Sequence, residues 1–585
     1  MTIRYIVTPQ TAAHHYLVKL IFTARAQSHQ LTLPVWIPGS YMVREFSKNI
    51  ITLGASQNNQ TITSRQIDKN NWLLEGLAVG DLVEVSYTVY AYEYGIRTAF
   101  LDAKRGYFNP TSLCLSVAGY EDETHQVQFA DLPDAWQVAC GLAADDNEVF
   151  SAQNYDELID SPFELGTFER LEFSVAGVNH YLILSGTIPP FDRERMISDM
   201  QKICDYQIKL FGGATPYSGY GFILNLSGEI YTGLEHRNST LLMAPYYALP
   251  NLNRSNDEDY IKLLGLISHE FFHTWNVKRI KPQVFTPYNL GQENYTKLLW
   301  WFEGVTSYYD DLVLYRSGVI NQEKYLSFIT DNLNNVYKFA GVTQQSLANS
   351  SLTSWIKYYR QDENSPNSIV SYYVKGSLVA LCLDLLIREQ SEFSLDDVMR
   401  YLFQQWQQNP VGVGEDEIPA LIKAATGVDL AEFIHLATET TELLPFKDLL
   451  AKFGLNLNKR IAKNHQDSGK YFEQQANLVT PTNTITLDLG AKLDKQSLGY
   501  LVKNVYDNTP AQATGLAAGD LIVALNNVKL TNLEKQLAFV SANEEITLTL
   551  FRQEQLLSFI LKPTASVANV FDLVLADANL LANWL

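Results

Sequence analysis

The spacing of apolar residues changes twice along this 585-residue chain, and this change restricts the possible folds more than any other feature. Up to about residue 165, apolar and polar residues alternate in short runs such as HYLVKLIF, separated by Gly, Pro and Asn. Further along, apolar residues recur mainly at helical spacing until about residue 455, and short strand-like runs then return. Period two predicts strands and a period near 3.6 predicts helices.

The three patterns of apolar spacing predict three domains, because a chain of this length is too long to fold around one core. We assign residues 1–165 to a β-rich N-terminal sandwich and residues 166–455 to an α+β domain, in which strand-like runs come first and long helices follow. Residues 456–585 form a C-terminal region of short strands and turns. The predicted fold class is therefore multidomain α+β.

Charge and composition exclude several partners. The chain has 44 basic and 64 acidic residues, for a net charge of −20, and no cluster of Lys or Arg that would attract nucleic acid. No apolar run approaches the ~20 residues that span a bilayer, so we expect no membrane partner. The N-terminus MTIRYIVTPQTAAHHY lacks the apolar core of a signal peptide, which predicts a cytoplasmic protein.

The four cysteines predict no disulfide framework and no cysteine metal site. Cys114, Cys140, Cys204 and Cys382 lie far apart, and none forms a CxxC pair. We expect four reduced and mostly buried thiols.

The segment LISHEFFHTWN, Leu266 to Asn276, is the strongest candidate for chemistry. On a helix, His269 and His273 lie one turn apart on the same face, so both imidazoles can bind one metal ion. Glu270 lies about 100° further around the helix, where it can contact a water on the metal but not the metal itself. The alternative is two histidines that share a helix face without a metal.

A catalytic zinc takes three protein ligands and keeps its fourth position open. The apolar segment LLWWFEGVTSYYDDLVLY contains Glu303, a carboxylate that is costly to bury unless it binds something. Glu293, in the polar segment GQENY, is the alternative third ligand. Asp310, two turns beyond Glu303, either orients a ligand histidine or is a solvated surface carboxylate. Two imidazoles and one carboxylate favour a single Zn²⁺ ion.

HEFFHTWN followed by WFEGVTSYYDD resembles the glutamate-type zinc peptidases, or gluzincins. More narrowly, the chain is similar to the glycyl-aminopeptidase family that carries a C-terminal PDZ domain. WIPGSYMVREFSKNI matches the β-rich N-terminal domain of that family, TGLEHRNST its substrate strand, and NTPAQATGLAAGDLIVALN its PDZ domain. The resemblance covers nearly the whole chain. It implies a thermolysin-like catalytic domain in residues 166–455 and a PDZ-like domain at about 485–565.

Two further roles follow from matching positions. In TGLEH, Glu235 matches the carboxylate with which gluzincin aminopeptidases bind the free α-amino group of a substrate. Gly233 leaves the strand backbone bare, so that it can hydrogen-bond the peptide. Tyr373 matches the tyrosine of a YxKG motif that donates a hydrogen bond to the oxyanion, and the adjacent Tyr372 is the competing candidate.

The resemblance implies a zinc metalloaminopeptidase with Glu270 as general base and a peptide with a free N-terminus as substrate. It also implies a preference for small first residues, Gly and Ala. The PDZ-like domain either binds a peptide C-terminus, with DLGAK (Asp488 to Lys492) as the candidate carboxylate loop, or shapes access to the active site. Two alternatives remain open, a zinc endopeptidase and a PDZ-mediated binding protein without catalysis.

Overall fold

The computed structural model describes residues 2–253, 258–464, 467–474 and 486–585. The chain forms two compact units. The first unit contains Met1–Tyr295, Arg316–Val319 and Met399–Gly414, and the second contains Thr296–Tyr315, Ile320–Val398 and Glu415–Leu585.

The first unit begins with a β-rich region that contains one short helix, α1 (Tyr155–Ile159). Its strands are β1 (Thr2–Gln10), β2 (His15–Thr23), β3 (Ser28–Thr32), β4 (Ile50–Gln57), β5 (Gln60–Gln66), β6 (Asn71–Glu75), β7 (Leu82–Tyr90), β8 (Ala99–Leu101), β9 (Arg105–Phe108), β10 (Ser116–Val117), β11 (Thr124–Phe129), β12 (Gln137–Cys140), β13 (Phe150–Ala152) and β14 (Phe163–Gly166). They form a ten-stranded sheet in the order β10-β3-β6-β5-β4-β7-β2-β1-β11-β13 and a four-stranded sheet in the order β12-β14-β9-β8.

The period-two pattern places one face of these strands in a core. Every second residue of β2 is buried, and Tyr16, Val18, Leu20 and Phe22 are at most 2% exposed. The core also holds a charged pair, in which Arg105 Nε and Nη2 donate to the Glu164 carboxylate at 2.6 and 2.8 Å. Both charges are buried, and the bidentate geometry offsets part of their desolvation cost.

A five-stranded sheet and two helices complete the main part of the first unit. Its elements are β15 (Glu169–Val175), β16 (Val178–Gly186), α2 (Arg193–Leu210), β17 (Gly219–Ser227), β18 (Thr232–Glu235), β19 (Ser239–Pro245) and α3 (Glu258–Phe272). The strand order is β15-β16-β17-β19-β18, so β18 is an edge strand that pairs with β19 alone.

Helix α3 is held against the sheet by α2. Its first turn carries Glu258 and Asp259, whose charges favour a helix N-terminus. Leu263, Ile267 and Phe271 recur at helical spacing and are fully buried. Gln207 of α2 donates to the Ser268 carbonyl at 2.9 Å and to its hydroxyl at 3.0 Å, so the helix cannot slide along its neighbour.

The second unit begins with helices. They are a π-helix (Trp300–Val305), α4 (Thr306–Arg316), α5 (Gln322–Tyr337), α6 (Leu347–Leu352), α7 (Ser365–Ser368), α8 (Val374–Gln390), α10 (Ile418–Thr426), α11 (Ala431–Glu439) and α12 (Phe446–Lys452). Helix α9 (Leu395–Gln408) begins in the second unit, and its part from Met399 onward belongs to the first. Short 3-10 helices along the chain are Phe46–Asn49, Pro110–Ser112, Tyr246–Ala248, Gln283–Phe285, Ala340–Thr343 and Tyr358–Arg360.

The C-terminal part of the second unit is mainly β-structure. It contains β20 (Leu455–Arg460), β21 (Tyr471–Phe472), β22 (Leu487–Asp488), β23 (Ala491–Lys495), β24 (Tyr500–Val505), α13 (Pro510–Thr514), β25 (Leu521–Leu525), β26 (Val528–Lys529), α14 (Leu533–Leu537), β27 (Ile546–Arg552), β28 (Gln555–Leu561), β29 (Thr564–Ala565), β30 (Val570–Leu575) and α15 (Ala578–Leu581). The sheets are β23-β24-β25-β27-β28, with β26 on β25, then β20-β30-β21 and β22-β29.

The structure has the predicted order of β-rich, α+β and β-rich segments. The boundaries at residues 165 and 455 stay a prediction. The four cysteines are buried and free, as predicted from their spacing. Among the described residues, no helix combines the length and the apolar composition that a bilayer span requires.

Candidate metal centre

His269 and His273 are brought together by the end of α3. The helix ends at Phe272, one residue before His273, but the His273 N–H still donates to the His269 carbonyl at 3.3 Å. The i, i+4 spacing is therefore preserved. The two Nε2 atoms lie 3.0 Å apart, and the ring planes are inclined at 84°.

The position of the His273 ring fits a metal ligand. Its Nδ1 lies 2.8 Å from the Asn276 carbonyl oxygen, which accepts only a hydrogen bond, so Nδ1 carries the proton and Nε2 is left with its lone pair. Two ligand atoms on a tetrahedral zinc at 2.0–2.1 Å are about 3.3 Å apart, close to the observed separation of the two Nε2 atoms. The imidazole pair thus matches the chemistry and spacing of a zinc site.

Glu270 lies directly against β18. It is 5% exposed, and a Cβ built on Gly233 would stand 2.0 Å from its Oε1 atom. A side chain at position 233 therefore cannot coexist with the Glu270 carboxylate in its present place. Gly233 was predicted for its bare backbone, and the structure adds this close approach as a second reason for glycine.

Glu235 is buried beside the same carboxylate. Ligand atoms of Glu235, Glu270 and His273 all lie within 4.8 Å of one another. Glu235 is 4% exposed, and within the described part of the chain its Oε1 has no hydrogen-bond partner. Two carboxylates this close in a buried pocket repel each other unless a cation lies between or beside them. Two neighbouring buried carboxylates therefore make this position electrostatically favourable for a cation.

The outer edge of β18, next to this pocket, carries backbone groups that do not bond to β19. His236 N–H donates to the Ser239 carbonyl, and the antiparallel register then directs the backbone groups of Leu234 towards β19 and those of Gly233 and Glu235 away from it. Arg97, from the β-rich region, donates to the Gly233 carbonyl at 3.3 Å and so occupies part of that edge.

A buried ionic cluster holds the turn that follows Glu235. Asp160, at the end of α1, accepts hydrogen bonds from Lys278 at 2.7 Å, from His236 at 3.1 Å and from Arg237 at 3.1 Å. Burial favours the neutral acid, but Lys278 and the neighbouring cationic groups keep the pKa of Asp160 well below its ordinary value. The Asp160 carboxylate therefore stays charged and holds the turn at the C-terminal end of β18.

Glu303 belongs to the second unit, where it lies in the π-helix and is 2% exposed. A π-turn adds one residue to a helical turn and is frequently found at functional sites. The flanking residues Trp301, Phe302 and Val305 are fully buried. Glu293, the alternative ligand, is only partly buried in a loop. Burial therefore favours Glu303, as the sequence did.

The π-helix crosses α8 in direct backbone contact. A Cβ on Gly304 would stand 2.5 Å from the Gly376 Cα, and a Cβ on Gly376 would stand 2.7 Å from the Trp300 carbonyl oxygen. The two backbones can approach this closely only because both positions are glycine. It places the Glu303 segment against the first turn of α8, which Tyr373 precedes directly.

Tyr373 lies within electrostatic reach of Glu303. Burial, and after it the Glu303 charge, raises the pKa of the Tyr373 phenol well above its ordinary value. The hydroxyl therefore remains a proton donor throughout the physiological range. Tyr372, the competing candidate, stacks on Tyr373 with ring centroids 4.7 Å apart but is fully buried, whereas Tyr373 is partly exposed.

Sequence reasoning missed two residues of this region. Tyr358 stacks on Tyr373 at 5.5 Å, and burial together with the Glu303 charge raises its pKa. Gly39 lies over Glu235, since a Cβ there would stand 2.5 Å from both carboxylate oxygens. No local pattern marks Tyr358 in WIKYYRQ. Gly39 stands in WIPGSY, a motif that the resemblance had singled out without a role.

Comparison with known proteins identifies the family. The sequence model of the peptidase M61 N-terminal domain matches residues 4–167, that of the M61 glycyl aminopeptidase matches residues 262–379, and that of the PDZ domain matches residues 488–562. An aminopeptidase N family protein from Idiomarina loihiensis is 36% identical in sequence to this chain. Its crystal structure superposes with a TM-score of 0.93, and the match covers 100% of both chains. The chain belongs to the M61 glycyl aminopeptidase family.

Membership of this family confirms the predicted fold class and the predicted enzyme class, a zinc-dependent aminopeptidase with a PDZ domain. A second crystal structure, the M1 zinc metallopeptidase from Deinococcus radiodurans, is 14% identical, with a TM-score of 0.48, over 76% of this chain and 95% of that one. A search of the curated proteins finds no match.

Proposed function

We propose that this M61 family member removes one small N-terminal residue, Gly or Ala, from peptides, with a single zinc ion held by His269, His273 and Glu303. The donor set of two imidazoles and one carboxylate suits zinc, and the His273 tautomer leaves the correct nitrogen for it. Bound there, zinc supplies Lewis-acid chemistry that polarises a peptide carbonyl and makes a water acidic near neutral pH.

The buried carboxylates beside His273 are the observation that carries the proposal. Glu235 pairs with the substrate ammonium, which fixes the N-terminus and so sets the cut after one residue. Glu270 takes a proton from the attacking water and delivers it to the leaving amine. Its position against Gly233 holds it beside the strand on which the substrate lies. The two clustered carboxylates favour a cationic group beside them, and a substrate ammonium supplies that charge.

Tyr373 and the edge of β18 complete the proposed mechanism. The Tyr373 hydroxyl, which stays protonated, donates to the carbonyl oxygen as negative charge develops on it. The backbone groups of Gly233 and Glu235 point away from β19, where they can hydrogen-bond an extended peptide. Gly39 lies against the Glu235 carboxylate and leaves room for it beside the proposed ammonium position.

Hydrolysis of blocked and free substrates tests the exopeptidase assignment. We expect glycyl and alanyl chromogenic amides to be hydrolysed, the activity to disappear on chelation, and N-acetylated peptides to survive. Cleavage of the acetylated peptides at a similar rate would identify an endopeptidase instead.

Metal analysis of three variants tests the residue roles. Glu303→Gln is expected to lose zinc, because a neutral amide is a poor ligand. Glu270→Gln is expected to keep zinc and to lose nearly all turnover, while Glu235→Gln keeps zinc and loses mainly affinity for the free amine. Loss of zinc from Glu235→Gln but not from Glu303→Gln would make Glu235 the ligand, since its carboxylate also lies close to His273.

Binding of a peptide C-terminus by the PDZ domain and a cytoplasmic location stay predictions. The DLGAK segment contains the end of β22 and the start of β23, and Gly490 N–H donates to the Asp488 side chain at 2.8 Å. β23 is the edge strand of its sheet, as strand addition requires.

A further inference from the structure

The PDZ domain is bonded to the short segment that leads into Tyr373. Helix α7, Ser365–Ser368, ends five residues before Tyr373, and its residue Asn367 is 4% exposed. The Asn367 amide nitrogen donates to the Val505 carbonyl at 2.9 Å, and its oxygen accepts from the Asp507 N–H at 3.1 Å. One side chain therefore binds two backbone groups at the end of β24.

Two neighbouring contacts reinforce this attachment. Asn504 Nδ2 donates to the Glu363 carbonyl at 2.9 Å, just before α7. Tyr506, between the two backbone groups that Asn367 binds, packs its ring against Phe339 at 5.9 Å between centroids. The end of β24 is thus joined to α7 itself, to Glu363 just before it and to Phe339.

The chain between α7 and Tyr373 has little freedom to absorb a movement. A Cβ on Gly341 would stand 2.0 Å from the Ile369 carbonyl oxygen, so these backbones are in contact. The Val370 N–H donates to Gln345 at 3.1 Å, and its carbonyl accepts from Ser350 at 2.5 Å. Ser371 donates to the Tyr358 hydroxyl at 3.3 Å, next to the stacked ring of Tyr373. Each residue from Ile369 to Ser371 is therefore held by a neighbour.

We propose that Asn367 is a positioning residue through which the PDZ domain sets the place of Tyr373. Without the two hydrogen bonds to β24, α7 is held less firmly and can shift. Because residues 369–371 connect α7 to Tyr373 and have little freedom, a shift of α7 moves the first turn of α8. The inference rests on the proposed function, because it takes Tyr373 as the donor to the carbonyl oxygen. It assigns the PDZ domain a part in catalysis that needs no bound peptide.

A double-mutant cycle tests this role. Tyr373→Phe is expected to lower kcat by about 100- to 1000-fold, as removal of one oxyanion donor does. Asn367→Ala is expected to lower kcat at least tenfold, with KM and zinc content within about twofold of the wild type. In the Tyr373→Phe background the same substitution is expected to change kcat by less than about threefold, because the group that it positions has lost its hydroxyl.

Asn334 supplies a matched control. It is buried to a similar extent, at 2% exposed, and it likewise binds backbone groups of two distant segments, Ser468 at 2.7 Å and Phe571 at 2.9 Å. Asn334→Ala is expected to lower the unfolding temperature as much as Asn367→Ala does and to leave kcat within about twofold. Equal kcat losses in the two variants, or additive losses in the cycle, would overturn the proposal.

Hydrogen exchange gives a readout that does not depend on activity. In Asn367→Ala the amides of residues 369–377 are expected to exchange faster than in the wild type, whereas Asn334→Ala leaves them unchanged. Unchanged exchange in Asn367→Ala would refute the coupling. Failure of the proposed function is distinguishable, since the wild type itself would then not hydrolyse glycyl or alanyl amides.

Discussion

Two glycines of the first unit lie directly against carboxylates that we assign to substrate binding and catalysis. Gly233 leaves room for Glu270, and Gly39 leaves room for Glu235. In both places the missing side chain matters more than any contact, because a methyl group would collide with the carboxylate. Gly39 also has φ of +90°, a conformation that L side chains rarely adopt.

Replacing Gly39 by alanine is expected to weaken substrate binding. The added Cβ displaces the Glu235 carboxylate, and loss of a charged hydrogen bond to the substrate ammonium costs roughly 1.5–3 kcal/mol, or about 10- to 100-fold in kcat/KM. Steady-state kinetics on an alanyl amide measures the effect, which should appear mainly in KM. Gly54→Ala, with no heavy atom within 4 Å of the new Cβ, is the control. Equal kinetics in both variants would show that Gly39 does not touch the substrate site.

Lys375 is expected to make stability depend on pH. It is 0% exposed, its Nζ has no partner among the described residues, and burial lowers its pKa to about 8. The unfolded lysine titrates near ~10.4, so the unfolded state binds more protons between about pH 8 and 10.4 and the folded state gains stability as pH rises. We expect Lys375→Met to be more stable than the wild type by up to about 3 kcal/mol at pH 7 and by less at pH 10.

Urea unfolding at the two pH values measures this difference. Lys503→Met, at an exposed position of β24, is the control and should show no such dependence. A difference between wild type and Lys375→Met that does not shrink with pH would mean that the ammonium has a partner in the folded state.

At the scale of elements, the crossing of the π-helix and α8 fixes Glu303. Gly376→Ala would bring a Cβ to 2.8 Å from the Gly304 Cα, and a backbone contact of this kind cannot relax by rotating a side chain. We expect zinc affinity to fall about 10- to 100-fold, as it does when the support of a metal ligand is lost, together with a lower unfolding temperature. Competition with a chromogenic chelator measures the affinity.

Gly265→Ala is the matched helical control. Gly265 lies within α3, and nothing stands within 4 Å of an added Cβ there. The substitution should raise stability by up to about 1 kcal/mol and leave zinc affinity unchanged. An unchanged affinity in Gly376→Ala as well would mean that the crossing does not hold Glu303.

The sequence predicts the elements of this region better than their contacts. The HExxH spacing and the buried Glu303 follow from local patterns, because helical periodicity is a local property, whereas Glu235 was predicted from the resemblance of TGLEH to the family. The π-turn at Trp300–Val305 leaves no signature in the apolar spacing, so it was not predicted. Gly39 and Tyr358 were missed because their partners are distant in sequence, and no local pattern encodes such a contact.

At the scale of the whole molecule, the β-rich region contributes directly to the first unit's site. It supplies Gly39 against Glu235 and Arg97 on the Gly233 carbonyl, and Asp160 holds the turn after Glu235. The β-rich region therefore contacts β18 and the turn after it, the segment that we propose to bind the substrate.

Zinc is expected to contribute to the stability of the whole protein. An ion that binds only the folded state at about a thousand times its Kd adds about 4 kcal/mol, so dialysis against a strong chelator should lower Tm by roughly 5–15 °C. Added Zn²⁺ should restore both Tm and activity, as followed by calorimetry. Glu303→Gln should show the low Tm without chelation and no recovery on zinc addition. A chelator effect of the same size in that variant would place the ion elsewhere.

We expect the four buried cysteines of the folded protein to react slowly with thiol reagents. Burial raises the pKa of Cys140 to about 12 and raises the pKa values of Cys114, Cys204 and Cys382 as well, so the reactive thiolate is scarce at neutral pH. Each sulfur becomes reactive only when the surrounding segment opens. Two cysteines lie in the β-rich region, one lies on α2 and one on α8. The alkylation rate of each cysteine therefore reports how readily its own segment unfolds locally.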